Sequence, residues 1–96
     1  MRRAARVDAN QAEIVDALRA AWCSVVVLSA VGGGVWDIVV GRAGINYLLE
    51  IKDGSKPPSQ RKRTPAQVRL HAEWRGQQAV CKTVEEAFIA VGILRG

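Results

Sequence analysis

Ninety-six residues support one hydrophobic core and not two, so the chain is read as a single domain over residues 1–96. With 49% hydrophobic and 24% charged residues it is neither a disordered segment nor a coiled coil, and its longest nearly apolar stretch, Ala20 to Val31, is interrupted by Ser24 and Ser29 and too short to span a bilayer, so no membrane role is expected. Fourteen Lys and Arg against nine Asp and Glu give a net charge of +5, which favours a polyanionic partner, with nucleic acid the leading class.

The basic start, Arg2, Arg3 and Arg6, runs into Val7-Asp8-Ala9-Asn10, where the apolar region of a secretory signal would have to begin; an intracellular, cytoplasmic protein is expected. Asp8 or Asn10 then caps a predicted helix from about Ala9 to Trp22, with Ile14, Ala17, Leu18, Ala21 and Trp22 as its apolar stripe. Ser24-Val25-Val26-Val27-Leu28 is β-branched and nearly continuous in apolarity, as expected of a central strand buried on both faces. Cys23 and Cys81 lack a CxxC or zinc spacing and are read as buried small hydrophobes.

Gly32-Gly33-Gly34 permits a turn that side chains would forbid, and Val35 to Val40 follows as a second strand. A P-loop would need a Lys-Ser/Thr ending and a helix next, and here a strand is expected instead. Gly41-Arg42-Ala43-Gly44 turns the chain, and Asn46 to Lys52 returns as an antiparallel third strand. From Asp53 to Thr64 the sequence is a loop rich in Gly, Pro, Ser, Lys and Arg. Thr64 and Pro65 open a helix carrying Val68, Leu70, Ala72 and Trp74 up to Gly76. Ala79-Val80-Cys81 is a short strand, and Thr83 with Glu86 makes a capping box for a last helix through about Val91. The order α-β-β-β-α-β-α gives an α+β or three-layer α/β/α fold, a mixed sheet flanked by helices.

Alternation in the third strand points Glu50 and Lys52 to the same side. A turn of even length centred between Ala43 and Gly44 would set Asp37 directly opposite Glu50, with Cβ atoms roughly 5 Å apart, whereas an odd turn would set Asp37 opposite Leu49. Two carboxylates that close repel, and a divalent cation resolves the conflict while leaving coordination positions for a phosphate oxygen and a water. Lys52 could orient that water or stabilise the developing negative charge.

The run Gly34-Val35-Trp36-Asp37-Ile38-Val39-Val40, then Leu49-Glu50-Ile51-Lys52, then Thr64-Pro65-Ala66-Gln67, resembles the PD-(D/E)XK nuclease superfamily. It is most similar to the small stand-alone VRR-NUC type known from viruses and bacteriophages. The resemblance implies a restriction-endonuclease-like α/β core and a Mg²⁺- or Mn²⁺-dependent DNA endonuclease with no small-molecule cofactor, at work in a bacterial or phage-infected cytoplasm. Asp37 and Glu50 would be metal ligands, the Ile51 carbonyl a further ligand, and Lys52 the catalytic lysine, with Glu13 and Gln67 holding metal, water or DNA. Trp36 stands where that family often has proline, and strand alternation would point it away from the site.

The loop residues Lys56, Arg61, Lys62 and Arg63 follow closely on Lys52 and would contact phosphates flanking the site. His71 lies one helical turn after Gln67, which would allow it to face the same site as a general base; with no histidine assigned to catalysis by the resemblance, it is read as a surface or DNA-backbone residue. Structure-directed cutting of branched or junction DNA is the expected activity, and the alternative is a non-catalytic nucleic-acid-binding module that uses the basic loop. A pure binder would gain nothing from carboxylates set beside a phosphate. The final helix carries Val84, Ala87, Phe88, Ile89, Ala90, Val91, Ile93 and Leu94, more than one stripe requires, and a homodimer is expected to cover the surplus.

Overall fold

The computed structural model describes residues 9–55 and 63–96. Asp8 and the basic residues Lys56, Arg61 and Lys62 lie outside that range. The elements follow the expected order: α1 (Gln11–Ala20), β1 (Ser24–Val27), β2 (Ile38–Arg42), β3 (Ile45–Ile51), α2 (Pro65–Glu73), β4 (Gln78–Cys81) and α3 (Val84–Ala90). They form one mixed four-stranded sheet in the order β1-β2-β3-β4, with β1, β2 and β3 antiparallel and β4 parallel to β3. The crossover through α2 is what allows β4 to return in the same direction as β3.

α1 is shorter than its sequence pattern, and its buried face is Gln11, Ile14, Val15 and Leu18, spaced i, i+3, i+4, i+7. Asn10 holds the N-cap position without capping. Its side-chain amide donates instead to the Lys52 and Lys82 carbonyls, at 3.1 and 2.8 Å, and pins the start of α1 to the ends of β3 and β4. Trp22 leaves the stripe altogether: it is 95% exposed with φ +70°. The chain stops there in a Schellman motif, with Trp22 N–H donating to the Arg19 carbonyl and Cys23 N–H to the Leu18 carbonyl, both at 3.0 Å. α3 ends in the same pair of bonds, Gly92 to Ile89 and Ile93 to Phe88, with glycine in the left-handed position.

β1 is an edge strand and not a central one. Val25 is its buried residue, while Val26 and Val27 are exposed. The β-branched run signalled strand conformation correctly and burial incorrectly, because at the edge of the sheet Val26 and Val27 are left without a covering layer. Its rim is partly closed from α1, where the Arg19 guanidinium donates to the Val25 carbonyl at 3.0 Å.

The β2–β3 hairpin has a two-residue turn, Ala43 and Gly44, with φ of +52° and +79°. Two positive φ values give the turn twist that matches the strands. The register runs from Arg42↔Ile45 to Ile38↔Leu49, so the even turn is the one realised. β2 begins at Ile38, three residues later than the sequence suggests. Pairing nonetheless continues through Asp37, whose N–H donates to the Leu49 carbonyl at 3.1 Å and whose carbonyl accepts from Leu28 N–H at 2.7 Å.

Ile14, Leu18, Ile38, Val40, Leu49, Ile51, Ala87 and Val91 form the core, with Cys23 and Cys81 buried among them as free thiols. Desolvation raises both thiols, Cys81 to about 11, so neither is a reactive thiolate at neutral pH. α3 packs on α1 as well as on β4, so part of its second apolar face is covered within the chain. Thr83 caps α3 by accepting from Glu86 N–H, while the Glu86 carboxylate reaches Lys82 N–H. Among the described residues no helix is long and apolar enough to cross a membrane.

Candidate active site

Leu49 and Ile51 turn into the core, so Glu50 between them turns to the opposite face of the sheet, where α2 lies. There it is 2% exposed. One oxygen, Oε2, sits 3.0 Å from the Lys52 ammonium and accepts from the Gln67 side-chain amide, also at 3.0 Å. The other, Oε1, is buried with no hydrogen-bond partner. Lys52, two residues along the same strand, reaches Glu50 because both side chains leave β3 on one side.

Asp37 stands one residue beyond Ile38↔Leu49, the last pair of the hairpin register, and its N–H donates to the Leu49 carbonyl. Its Oδ2 accepts from Ile51 N–H at 2.6 Å, which takes up a ladder donor at the point where the strand pairing ends. Glu50 and Lys52 thus pair on one side of the end of β3, and the Asp37 carboxylate sits on the N–H of Ile51, the residue between them in sequence.

Gln67 is fixed at both ends of its amide. Its side-chain Oε1 accepts from Thr64 N–H at 2.9 Å while its Nε2 donates to Glu50, and its backbone N–H donates to Thr64 Oγ1 at 3.2 Å, a complete capping box around Pro65. The same side chain that caps α2 thus holds Glu50. Beside it a cavity of about 340 Å³ opens, lined in part by Ser29, Gly32, Gly33, Gly34, Asp37 and Thr64.

Two residues belong to this face that sequence reasoning placed elsewhere. Trp36 does not point away from the site: it is 2% exposed, and its ring stacks on His71 with centroids 4.1 Å apart and 7° between planes. Alternation failed because Trp36 lies outside the regular strand. His71 is not a surface residue either, being 4% exposed with Nε2 3.1 Å from the Gly34 carbonyl. Burial lowers its pKa below the ordinary 6.5, and the positive charges of Arg63 and Lys52 add to that; the Gly34 bond and the Asp37 carboxylate oppose it.

Glu13 does not join the constellation. It is exposed on α1, on the side away from the Gln11, Ile14, Val15, Leu18 stripe. Among the described residues no three His, Cys, Asp or Glu side chains gather closely enough to hold a metal ion. The α1 side chain that does turn inward is Gln11, whose Oε1 accepts from Ser29 Oγ at 3.1 Å on the wall of the cavity. Its place seven residues before Leu18 on the apolar stripe was the available signal. Arg63 is exposed just ahead of the α2 cap.

Compared with known proteins, the chain matches no family model, no curated protein and no solved structure.

Proposed function

We propose that the chain is a metal-dependent DNA endonuclease of the PD-(D/E)XK type, with a restriction-endonuclease-like core. The observation that carries this reading is Glu50: a carboxylate 2% exposed and 3.0 Å from Lys52, with its second oxygen unpartnered, next in sequence to the Ile51 N–H on which the Asp37 carboxylate sits. A buried acceptor left unpaired costs about 1–3 kcal/mol, which a sequence written only for folding would avoid with an apolar residue.

The residues fit a hard divalent cation. Mg²⁺ and Mn²⁺ favour oxygen donors, and one or two carboxylates suffice for Mg²⁺ because it keeps several waters, so a third acidic ligand, which is not found among the described residues, is not required. Asp37, Glu50 and the Ile51 carbonyl would hold the ion. When bound, it supplies a polarised phosphate oxygen and a water acidic enough to act as a nucleophile near neutral pH.

The chain's own side chains do the remainder. Lys52 presents an ammonium to the negative charge that builds on phosphate oxygens as the water oxygen bonds to phosphorus and the sugar oxygen leaves. Gln67 fixes the Glu50 rotamer through its hydrogen bond. Lys56, Arg61, Lys62 and Arg63 would grip flanking phosphates, and a branched or junction DNA is the proposed substrate. A non-catalytic binder would not place Asp37 and Glu50 where a phosphate must approach.

The test is cleavage of duplex, flap and four-way-junction DNA with and without Mg²⁺ or Mn²⁺. Lys52→Ala and Asp37→Asn should each lower cleavage at least about 100-fold while leaving DNA affinity within about threefold, since they remove transition-state stabilisation and not phosphate grip. Wild-type rates in Lys52→Ala would refute the mechanism.

A further inference from the structure

α2 is weakly seated for a helix that carries a site residue. Among its residues His71 alone is buried, and Val68 is 53% exposed. Gln67 and His71 are four residues apart and so face the sheet together, one turn above the other. The place of Gln67 against Glu50 therefore depends on what holds His71.

Its ring makes two contacts, with Gly34 and Trp36, and its backbone carbonyl accepts from the Gln78 side-chain amide at 2.7 Å. The Gly34 carbonyl can only accept, so the 3.1 Å contact requires a proton on Nε2, and Nδ1 is then the bare nitrogen, buried and without a partner. The ring stacks on Trp36. At the other end of α2's first turns, Gly34 lies directly against the helix: a Cβ there would stand 2.8 Å from the Ala66 carbonyl carbon and 2.9 Å from the Gln67 nitrogen. The segment Gly34-Val35-Trp36-Asp37 thus grips α2 twice and delivers Asp37 at its end, while α2 delivers Gln67 to Glu50.

We infer that His71 is the positioning residue that sets Gln67 against Glu50, and that it does so as the neutral Nε2–H tautomer. It touches no reacting atom. Its Nε2 is committed to a carbonyl and its Nδ1 is shut in, which leaves no nitrogen to take a proton from water. The charged groups around it are Asp37, Lys52 and Arg63, with Glu50 beyond Gln67. Only the catalytic consequence of this assignment rests on the nuclease reading.

The test uses the full ¹⁵N-labelled chain. A long-range ¹H–¹⁵N spectrum of the wild type should show His71 protonated at Nε2 at pH 7.5, and finding the proton on Nδ1 overturns the inference without any variant. His71→Phe keeps a ring against Trp36 and loses the bond; His71→Gln brings an amide N–H back within reach of Gly34. The Gln67 side-chain amide should be protected from exchange in the wild type, lose that protection at least about tenfold in His71→Phe, and regain it in His71→Gln. An unchanged Gln67 signal in a folded His71→Phe overturns the inference. On junction DNA with Mg²⁺, His71→Phe should lower kcat about 10- to 100-fold with KM unchanged. If the wild type cuts no DNA, the nuclease reading fails while the tautomer and the Gln67 signal still decide the role of His71.

Discussion

Divalent metal should stabilise this fold, and the stabilisation should depend on two named carboxylates. In the chain as it stands, Glu50 Oε1 is buried and unpaired, at a cost of about 1–3 kcal/mol. A cation held between Asp37 and Glu50 removes that cost and the mutual repulsion of the carboxylates. It binds the folded chain and not the unfolded one, so at ten times its Kd it adds about 1.4 kcal/mol by mass action. For a domain of this size that raises Tm by about 6–11 °C.

Thermal unfolding by circular dichroism, with EDTA and then with Mg²⁺ or Mn²⁺ in excess, reads this directly. Asp37→Asn and Glu50→Gln should each abolish the metal-dependent rise. Lys52→Ala should preserve or enlarge it, because the Lys52 ammonium, 3.0 Å from Glu50 Oε2, competes with a metal ion for the same charge. A rise of equal size in all three variants would mean the ion binds elsewhere, and no rise in the wild type at millimolar metal would remove the metal site.

Further measurements bear on other parts of the chain. Trp22→Gly should raise Tm by about 2–8 °C, since a left-handed non-glycine residue costs about 1–2 kcal/mol, glycine returns only about 0.5–1 in backbone entropy, and a side chain 95% exposed loses no packing; a fall in Tm would show that the indole is packed. The folded chain holds the His71 pKa below 6.5, so the unfolded chain takes up the proton first: stability is full above about 6.5, declines as pH falls from there, and the decline should shrink in His71→Phe, which equal urea midpoints for the two proteins from pH 7.5 to 5.5 would contradict. Val80 and Leu94 remain 42% and 44% exposed, and a homodimer that covers them should scatter light at about twice the 10.4 kDa chain mass; a monomer mass unchanged on dilution rules the dimer out.

Legibility followed periodicity. The hairpin was legible from strand alternation and the Ala43-Gly44 turn, but its register only as one of two alternatives, and the positive φ of both turn residues with the Arg42↔Ile45 pair decides for the even turn. The capping box from Thr64 to Gln67 was legible from its three-residue spacing, while the box expected from Thr83 to Glu86 forms only by half, since the Glu86 carboxylate takes the Lys82 N–H in place of the Thr83 N–H. What escaped was tertiary. Whether Val26 is covered depends on whether another element packs over that face at the β1 edge, and Ser24 to Leu28 carries no record of that. Trp22 shows propensity overridden: α1 ends where its Schellman bonds close, although a tryptophan fills the slot that glycine fills at Gly92. Trp36 and His71 were misplaced together, since their burial comes from each other and neither environment is visible without the partner.

The two faces of the sheet differ in a way that supports reading one of them as functional. On the α1 and α3 side Leu49, Ile51, Ile38 and Val40 meet Ile14, Leu18, Ala87 and Val91, an apolar interior that folding alone explains. On the α2 side the buried groups are Glu50, His71 and Trp36, and each has a buried polar atom without a hydrogen-bond partner. Among the described residues one further such atom is found, on Asn10, so three of the four cluster where Asp37 and Lys52 also stand. Unsatisfied groups spread at random over a fold would indicate poor packing. Gathered on the α2 side of the sheet, and flanked by a capping box and a glycine packed against helix backbone, they mark the place where the sequence departs from what stability prefers, and such departures are expected at a site of chemistry.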